Sequence, residues 1–207
     1  MEEPNFLRIC LLGHSFVTRL RRYMDLHPDL MNLKLHQDFY SVSVRARGGL
    51  RTSSIARSRD FLTFDMLPHV CFMQIGENDI LLHTNEVIVR DILSLASYLH
   101  SGIGIQTVIV GQLLRRQPWA SSPDFNDRII AINVMLREQC SNISGVHFWP
   151  HRGFWTDLTF LCQDGVHLRC PSQSSHVVST SPMYRFWRSV SSAILQHRHI
   201  SGQYHSA

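Results

Sequence analysis

The sequence predicts a three-layer α/β/α sandwich built on a parallel five-stranded sheet, and two observations carry that prediction. Short apolar runs alternate with segments of helical periodicity along the chain, the pattern expected when helices cover both faces of a parallel sheet. Several of those runs stop at a glycine followed by small or polar residues, as strands do where they hand over to helices. With 207 residues, 44% hydrophobic and 17% charged, the chain has enough apolar material for one sizeable core. No linker divides it, so residues 1–200 read as one domain and 201–207 as a frayed tail.

The first strand is expected at residues 6–13, Phe-Leu-Arg-Ile-Cys-Leu-Leu-Gly. Val17, Leu20 and Met24 then recur at helical spacing until Pro28 stops the helix. Residues 36–45 form a second strand candidate leading into Gly48-Gly49, and a polar helix with a thin apolar stripe follows from about Leu50 to Phe61. A third strand at 69–75 ends at Gly76. Ile88, Ile92, Leu95 and Leu99 mark an amphipathic helix ahead of a β-branched fourth strand from Thr107 to Val110. Phe125, Ile129, Ile132 and Leu136 mark the next helix, Val146 to Trp149 a fifth strand, and Met183, Trp187, Val190 and Ile194 the last helix. Between Cys170 and Pro182 serine dominates, which predicts an exposed loop.

Composition narrows the function classes. No stretch approaches the ~20 consecutive apolar residues a membrane span needs. The start, Met1-Glu2-Glu3-Pro4, is acidic and the apolar run after it is broken by Arg8, unlike a signal peptide, so an intracellular, cytoplasmic location is expected. The five cysteines are scattered and form no C-x-x-C pair, which argues for reduced thiols and against a zinc site. The net charge of +4 comes almost wholly from arginine, Lys34 being the only lysine. Two clusters, Arg19, Arg21 and Arg22, and Arg45, Arg47, Arg51, Arg57 and Arg59, make nucleic acid a conceivable partner through phosphate contacts. Arginines on polar helix faces are more commonly a solvated surface.

In an open parallel sheet, reactive groups gather at the carboxyl ends of the strands. Those ends carry Gly13-His14-Ser15, Gly48-Gly49, Gly76-Glu77-Asn78-Asp79 and, after the fifth strand, Asp164-Gly165-Val166-His167. A serine hydroxyl becomes a nucleophile when a base takes its proton and a third group orients that base. Ser15, His167 and Asp164 supply these parts, the carboxylate turning back to the imidazole from three residues away. The backbone N–H of Ser15, the backbone N–H of Gly49 and the side-chain amide of Asn78 are the candidate donors for an oxyanion. Singly, each has a plainer reading: Ser15 as a helix cap, Gly49 as a turn former, Asn78 and Asp79 as caps, His167 as a loop histidine. By composition, roughly 0.7 Asp-x-x-His pairs arise by chance but only about 0.02 copies of Gly-x-Asn-Asp, so the latter carries more weight.

At these residues the chain resembles the SGNH, or GDSL-like, hydrolase superfamily, whose blocks carry Ser, Gly, Asn and His in this order. The resemblance runs from Leu7 to about Leu195, and the helix Phe125-Asn126-Asp127-Arg128-Ile129-Ile130-Ala131-Ile132-Asn133 is similar to the family's fourth region. It implies a flavodoxin-like strand order, no metal or organic cofactor, and a serine esterase acting on small esters through an acyl-enzyme. By that resemblance Ser15 matches the nucleophile, Gly49 and Asn78 the oxyanion donors, and Asp164 and His167 the acid and base. Two features depart from the family: His14 stands where it usually has aspartate, and the serine-rich stretch is longer than its common turn. Gly13-His14-Ser15-Phe16-Val17 followed by arginines, with His151-Arg152-Gly153-Phe154-Trp155, further resembles SGNH-like domains of retroelement-derived proteins. That likeness implies an alternative, a catalytically silent module that binds nucleic acid or protein.

Overall fold

The computed structural model describes residues 6–155, 158–170 and 180–197. The expected tail and most of the serine-rich stretch, 171–179, lie outside the described residues. Five strands, β1 (Leu7–Gly13), β2 (Tyr40–Ala46), β3 (Val70–Gln74), β4 (Thr107–Gly111) and β5 (Val146–Trp149), form one sheet in the order β2-β1-β3-β4-β5. Every neighbouring pair is parallel. This is the flavodoxin-like order, and it puts β2 and β5 at the edges.

The side chains of β1 alternate between two cores, as the two-residue period of a strand requires. Ile9 and Leu11 pack with α1 (Ser15–Leu26) and α6 (Pro182–His197), while Cys10 and Leu12 pack with α4 (Asn85–Ser97) and α5 (Phe125–Cys140). Strands β1, β3 and β4 are covered on both sides, which is why they read as nearly unbroken apolar runs. Burying one such Leu or Ile contributes about 1.5–3 kcal/mol. Helix α6 starts on a cap, with Ser181 Oγ accepting from Tyr184 N–H at 3.1 Å and Pro182 in the first helical position. All five cysteines are free thiols. Among the described residues no helix is long and apolar enough to cross a membrane.

Two elements differ from expectation. The second strand starts at Tyr40 rather than 36, because Tyr40 already pairs with Leu7, the first residue of β1. The N–H groups of Phe39 and Tyr40 both bond to His36 O at 3.0 Å and turn the chain there. The polar helix expected from about 50 to 61 is two short helices, α2 (Thr52–Ala56) and α3 (Arg59–Leu62). Its apolar stripe is too thin for one continuous helix: only Thr52 and Ile55 are buried in α2, and nothing in α3.

Candidate active site

All the strand-end residues singled out above fall at the carboxyl edge of the sheet. Ser15 opens α1, with His14 rather than Ser15 in the cap position. Its N–H is thus one of the first-turn donors that have no partner within the helix. Gly49 lies in the turn from Arg47 to Leu50, closed by a 3.3 Å bond from Leu50 N–H to Arg47 O. Its φ of +71° is the conformation that turn demands of its third residue, and no atom of the described residues stands within 4 Å of where a Cβ would be. The Gly49 backbone is accordingly open to approach.

Asn78 follows β3 and faces that turn. Its Nδ2 donates to Leu50 O at 3.0 Å, and its Oδ1 accepts from the Arg116 guanidinium at 3.3 Å. The two bonds fix which way the amide points and, among the described residues, leave a second amide hydrogen unused. Asp79 is buried and accepts from the Thr52 N–H and hydroxyl at 3.2 and 3.1 Å, so it holds the start of α2. Burial raises the pKa of Asp79, and the Thr52 bonds partly offset that. Gly-Glu-Asn-Asp therefore ties the exit of β3 to the exit of β2.

Asp164 and His167 form a clasp. Asp164 Oδ1 accepts from the N–H groups of Val166 and His167, each at 2.9 Å, and Oδ2 meets His167 Nδ1 at 2.8 Å. That arrangement places a proton on Nδ1 and leaves Nε2 as the accepting nitrogen. Burial opposes the charge of Asp164, but the two backbone bonds and the imidazole outweigh it and hold the carboxyl at about 2. Partial burial lowers the pKa of His167; the bond to Asp164 opposes this and the charge of Arg19 adds to it. The clasp rests on α1: the His167 ring lies 6.0 Å from the Phe16 ring, and the Arg19 guanidinium 3.7 Å from Asp164. Among the described residues the Ser15 hydroxyl makes no hydrogen bond to His167, so the clasp is brought beside α1 without engaging its serine. Contacts of this kind commonly tighten only in a substrate complex.

Neither a protein-family model nor a curated protein matches this chain. Solved structures do. A GDSL-like lipase from Bacteroides thetaiotaomicron aligns with a TM-score of 0.65 at 17% identity, over 91% of this chain and 88% of that one. The chain has the GDSL-like lipase fold. A family 3 carbohydrate esterase from Talaromyces cellulolyticus shares it, with a TM-score of 0.64 at 14% identity over 92% of this chain and 97% of that one. So does a lipase/acylhydrolase from Enterococcus faecalis, at 0.59 and 15% identity, over 91% and 95% of the two chains.

Behind this edge of the GDSL-like fold lies a buried polar chain that no local sequence signal announced. His14 Nε2 donates to Glu77 Oε2 at 2.6 Å, with both side chains almost wholly buried. Glu77 Oε1 accepts from Gln74 Nε2 at 2.8 Å and from Leu114 N–H at 3.2 Å. Gln74 Oε1 accepts from His151 Nε2 at 3.0 Å, and His151 Nδ1 accepts from the Ser189 hydroxyl at 2.8 Å. Trp149 Nε1 donates to Ser189 Oγ at 2.9 Å and completes the chain, in which each donor meets an acceptor. A Cβ at Gly111 would come within 2.3 Å of Gln74 Oε1, so only glycine leaves room for that amide. Burial works against the charge of Glu77, yet the His14 imidazole and the other donors bring its carboxyl below the ordinary range. The sequence reading also missed Arg116, which steadies Asn78 and stacks over Phe125 at 4.5 Å.

Burial pushes the pKa of His151 down to about 3, with Glu77 opposing, so the ring is neutral in the fold at pH 7. An exposed histidine in the unfolded chain titrates near 6.5. The folded value is the lower one, so the stability this difference gives is complete above about pH 6.5 and is lost as pH falls toward the folded value. The expected slope is about 1.4 kcal/mol per pH unit in that window. Urea midpoints of the wild type and His151→Gln between pH 7 and 4.5 measure it: the variant should lose that much of the wild-type slope, and parallel curves would refute the assignment.

Proposed function

We propose that this chain is a serine esterase that hydrolyses small carboxylic esters through an acyl-enzyme. The observation that carries the reading is the Asp164–His167 clasp resting on the first turn of α1, with Gly49 and Asn78 converging from the neighbouring strand ends. Supporting it, the solved structures that share the fold are named as a lipase, an esterase and an acylhydrolase.

In this mechanism Ser15 Oγ attacks the ester carbonyl as His167 Nε2 takes its proton, and Asp164 stabilises the imidazolium. The Ser15 N–H, the Gly49 N–H and the unused Asn78 amide hydrogen receive the developing oxyanion. His167 returns the proton to the leaving alcohol, and water then repeats the sequence to release the carboxylic acid and restore the hydroxyl. Arg116 acts through Asn78, keeping its nitrogen toward the Gly49 turn.

Labelling with a fluorophosphonate tests the proposal, because the probe reports an activated serine without requiring the physiological substrate. The wild type should label at Ser15 and Ser15→Ala should not; a silent binding module would leave the wild type unlabelled. Activity should also follow the neutral form of His167. Its lowered pKa implies that kcat/KM rises with pH and reaches half its plateau below pH 6.5, the ordinary histidine value. Arg19→Ala removes a charge that depresses that pKa, so its profile should shift toward higher pH; an unmoved or oppositely moved profile would count against this electrostatic account.

A further inference from the structure

We propose that the edge of β5 is a docking groove for an acidic peptide in extended conformation, which adds to the sheet as a sixth strand. The groove has a volume of about 780 Å³ and runs along β5 between α5 and α6. Its backbone is available at Phe148, whereas the Val146 N–H is taken by Ile143 O at 3.2 Å. Val108 N–H bonds to Gly145 O and Gln112 N–H to Trp149 O, so residues 145, 147 and 149 face β4, and the alternation of a parallel strand turns the N–H and C=O of Phe148 outward.

The side chains around that backbone are basic. Arg137 of α5, Arg185 and Arg188 of α6, and Arg152 after β5 line the groove, and among the described residues no Asp or Glu does. Among the described residues none of the four is paired with a carboxylate: Arg137 lies over the Phe148 ring and Arg185 reaches Gly153 O. In the arginine clusters visible in the sequence, Arg19 pairs with Asp164 and Arg21 with Asp25, while Arg45 contacts Phe64 and the Asp60 carbonyl. What sets the four groove arginines apart is that they flank an unpaired strand edge.

The placement selects the partner. An added strand sends successive side chains to opposite faces of the sheet. In a peptide with carboxylates on alternate residues they all share one face, and they would meet Arg185 and Arg188 on the α6 side, where guanidinium forks bind carboxylates well, while the residues between them face α5. Charges beside an edge strand also deter unwanted pairing, and these would repel the same basic edge of a second copy. Single-stranded nucleic acid fits less well, because its bases need free ring faces for stacking. Phe148 is covered by Arg137, and His147 is stacked on His197 at 4.2 Å.

The test is fluorescence anisotropy with a labelled hexapeptide of alternating glutamate and valine, against a lysine–valine counterpart, an oligothymidylate, and two glutamate peptides N-methylated on one or the other alternate set of amides. The glutamate peptide should bind, and binding should fall by roughly tenfold or more in Arg185→Glu/Arg188→Glu. One methylated set should abolish binding and the other be tolerated, since only one set faces β5. Should the double variant misfold by circular dichroism, Arg188→Gln alone should still weaken binding. Tighter binding of the oligothymidylate, indifference to both methylation patterns, or no binding of the glutamate peptide at low salt would each overturn the proposal.

Discussion

Ser15→Ala is expected to lower kcat on a short-chain aryl ester by about 10⁴-fold or more, and His167→Ala by a similar factor. The two should not multiply. A nucleophile and its base act as one unit, so once either is gone the other has nothing to do, and what remains is weak catalysis from the oxyanion donors. Asp164→Asn should cost less than either, because its two bonds to the Val166 and His167 N–H groups shape the turn, and an amide oxygen can keep them. It does place an amide where the carboxylate now faces Nδ1, favouring the wrong tautomer. Rates for the two single variants and the Ser15→Ala/His167→Ala double variant decide the matter. Equal turnover in wild type and single variants would remove the enzyme reading, and a double variant slowed by the full product of the two single factors would mean that the residues act separately.

How far the sequence could foretell this arrangement depends on the distance over which each feature is encoded. The strands β1, β3 and β4 were legible because burial on both faces writes itself as an apolar run. The clasp was legible because its two members sit three residues apart, and the Gly49 turn because glycine is needed at its positive φ. The start of β2 was not, since it is set by where Leu7 of β1 begins rather than by anything in residues 36–39. The buried chain was invisible for the same reason. Gln74, His151 and Ser189 come from β3, the loop after β5 and α6, and nothing in their local surroundings marks them as partners. Likewise the four arginines of the β5 groove are dispersed over α5, the loop after β5 and α6, so they formed no cluster on paper.

The imidazole beside Ser15 is held by Glu77, and this leads to the largest expected effect on stability. Glu77→Ala would strip the acceptor from His14 Nε2, Gln74 Nε2 and Leu114 N–H, all buried, and should cost about 3–5 kcal/mol, read as a lowered urea midpoint with an unchanged m-value. His14→Asp should also destabilise. It would set a second carboxylate against the buried Glu77, and two such groups cannot both stay charged in so little solvent. The combination His14→Asp/Glu77→Gln should recover part of the loss, because the amide can donate to the new carboxylate. A coupling energy of about 1–3 kcal/mol in the double-mutant cycle of His14→Asp and Glu77→Gln would identify the two positions as a matched pair. Additive single effects would instead mean that each side chain merely fills its own space, and that imidazole beside Ser15 does not depend on the carboxylate across from it.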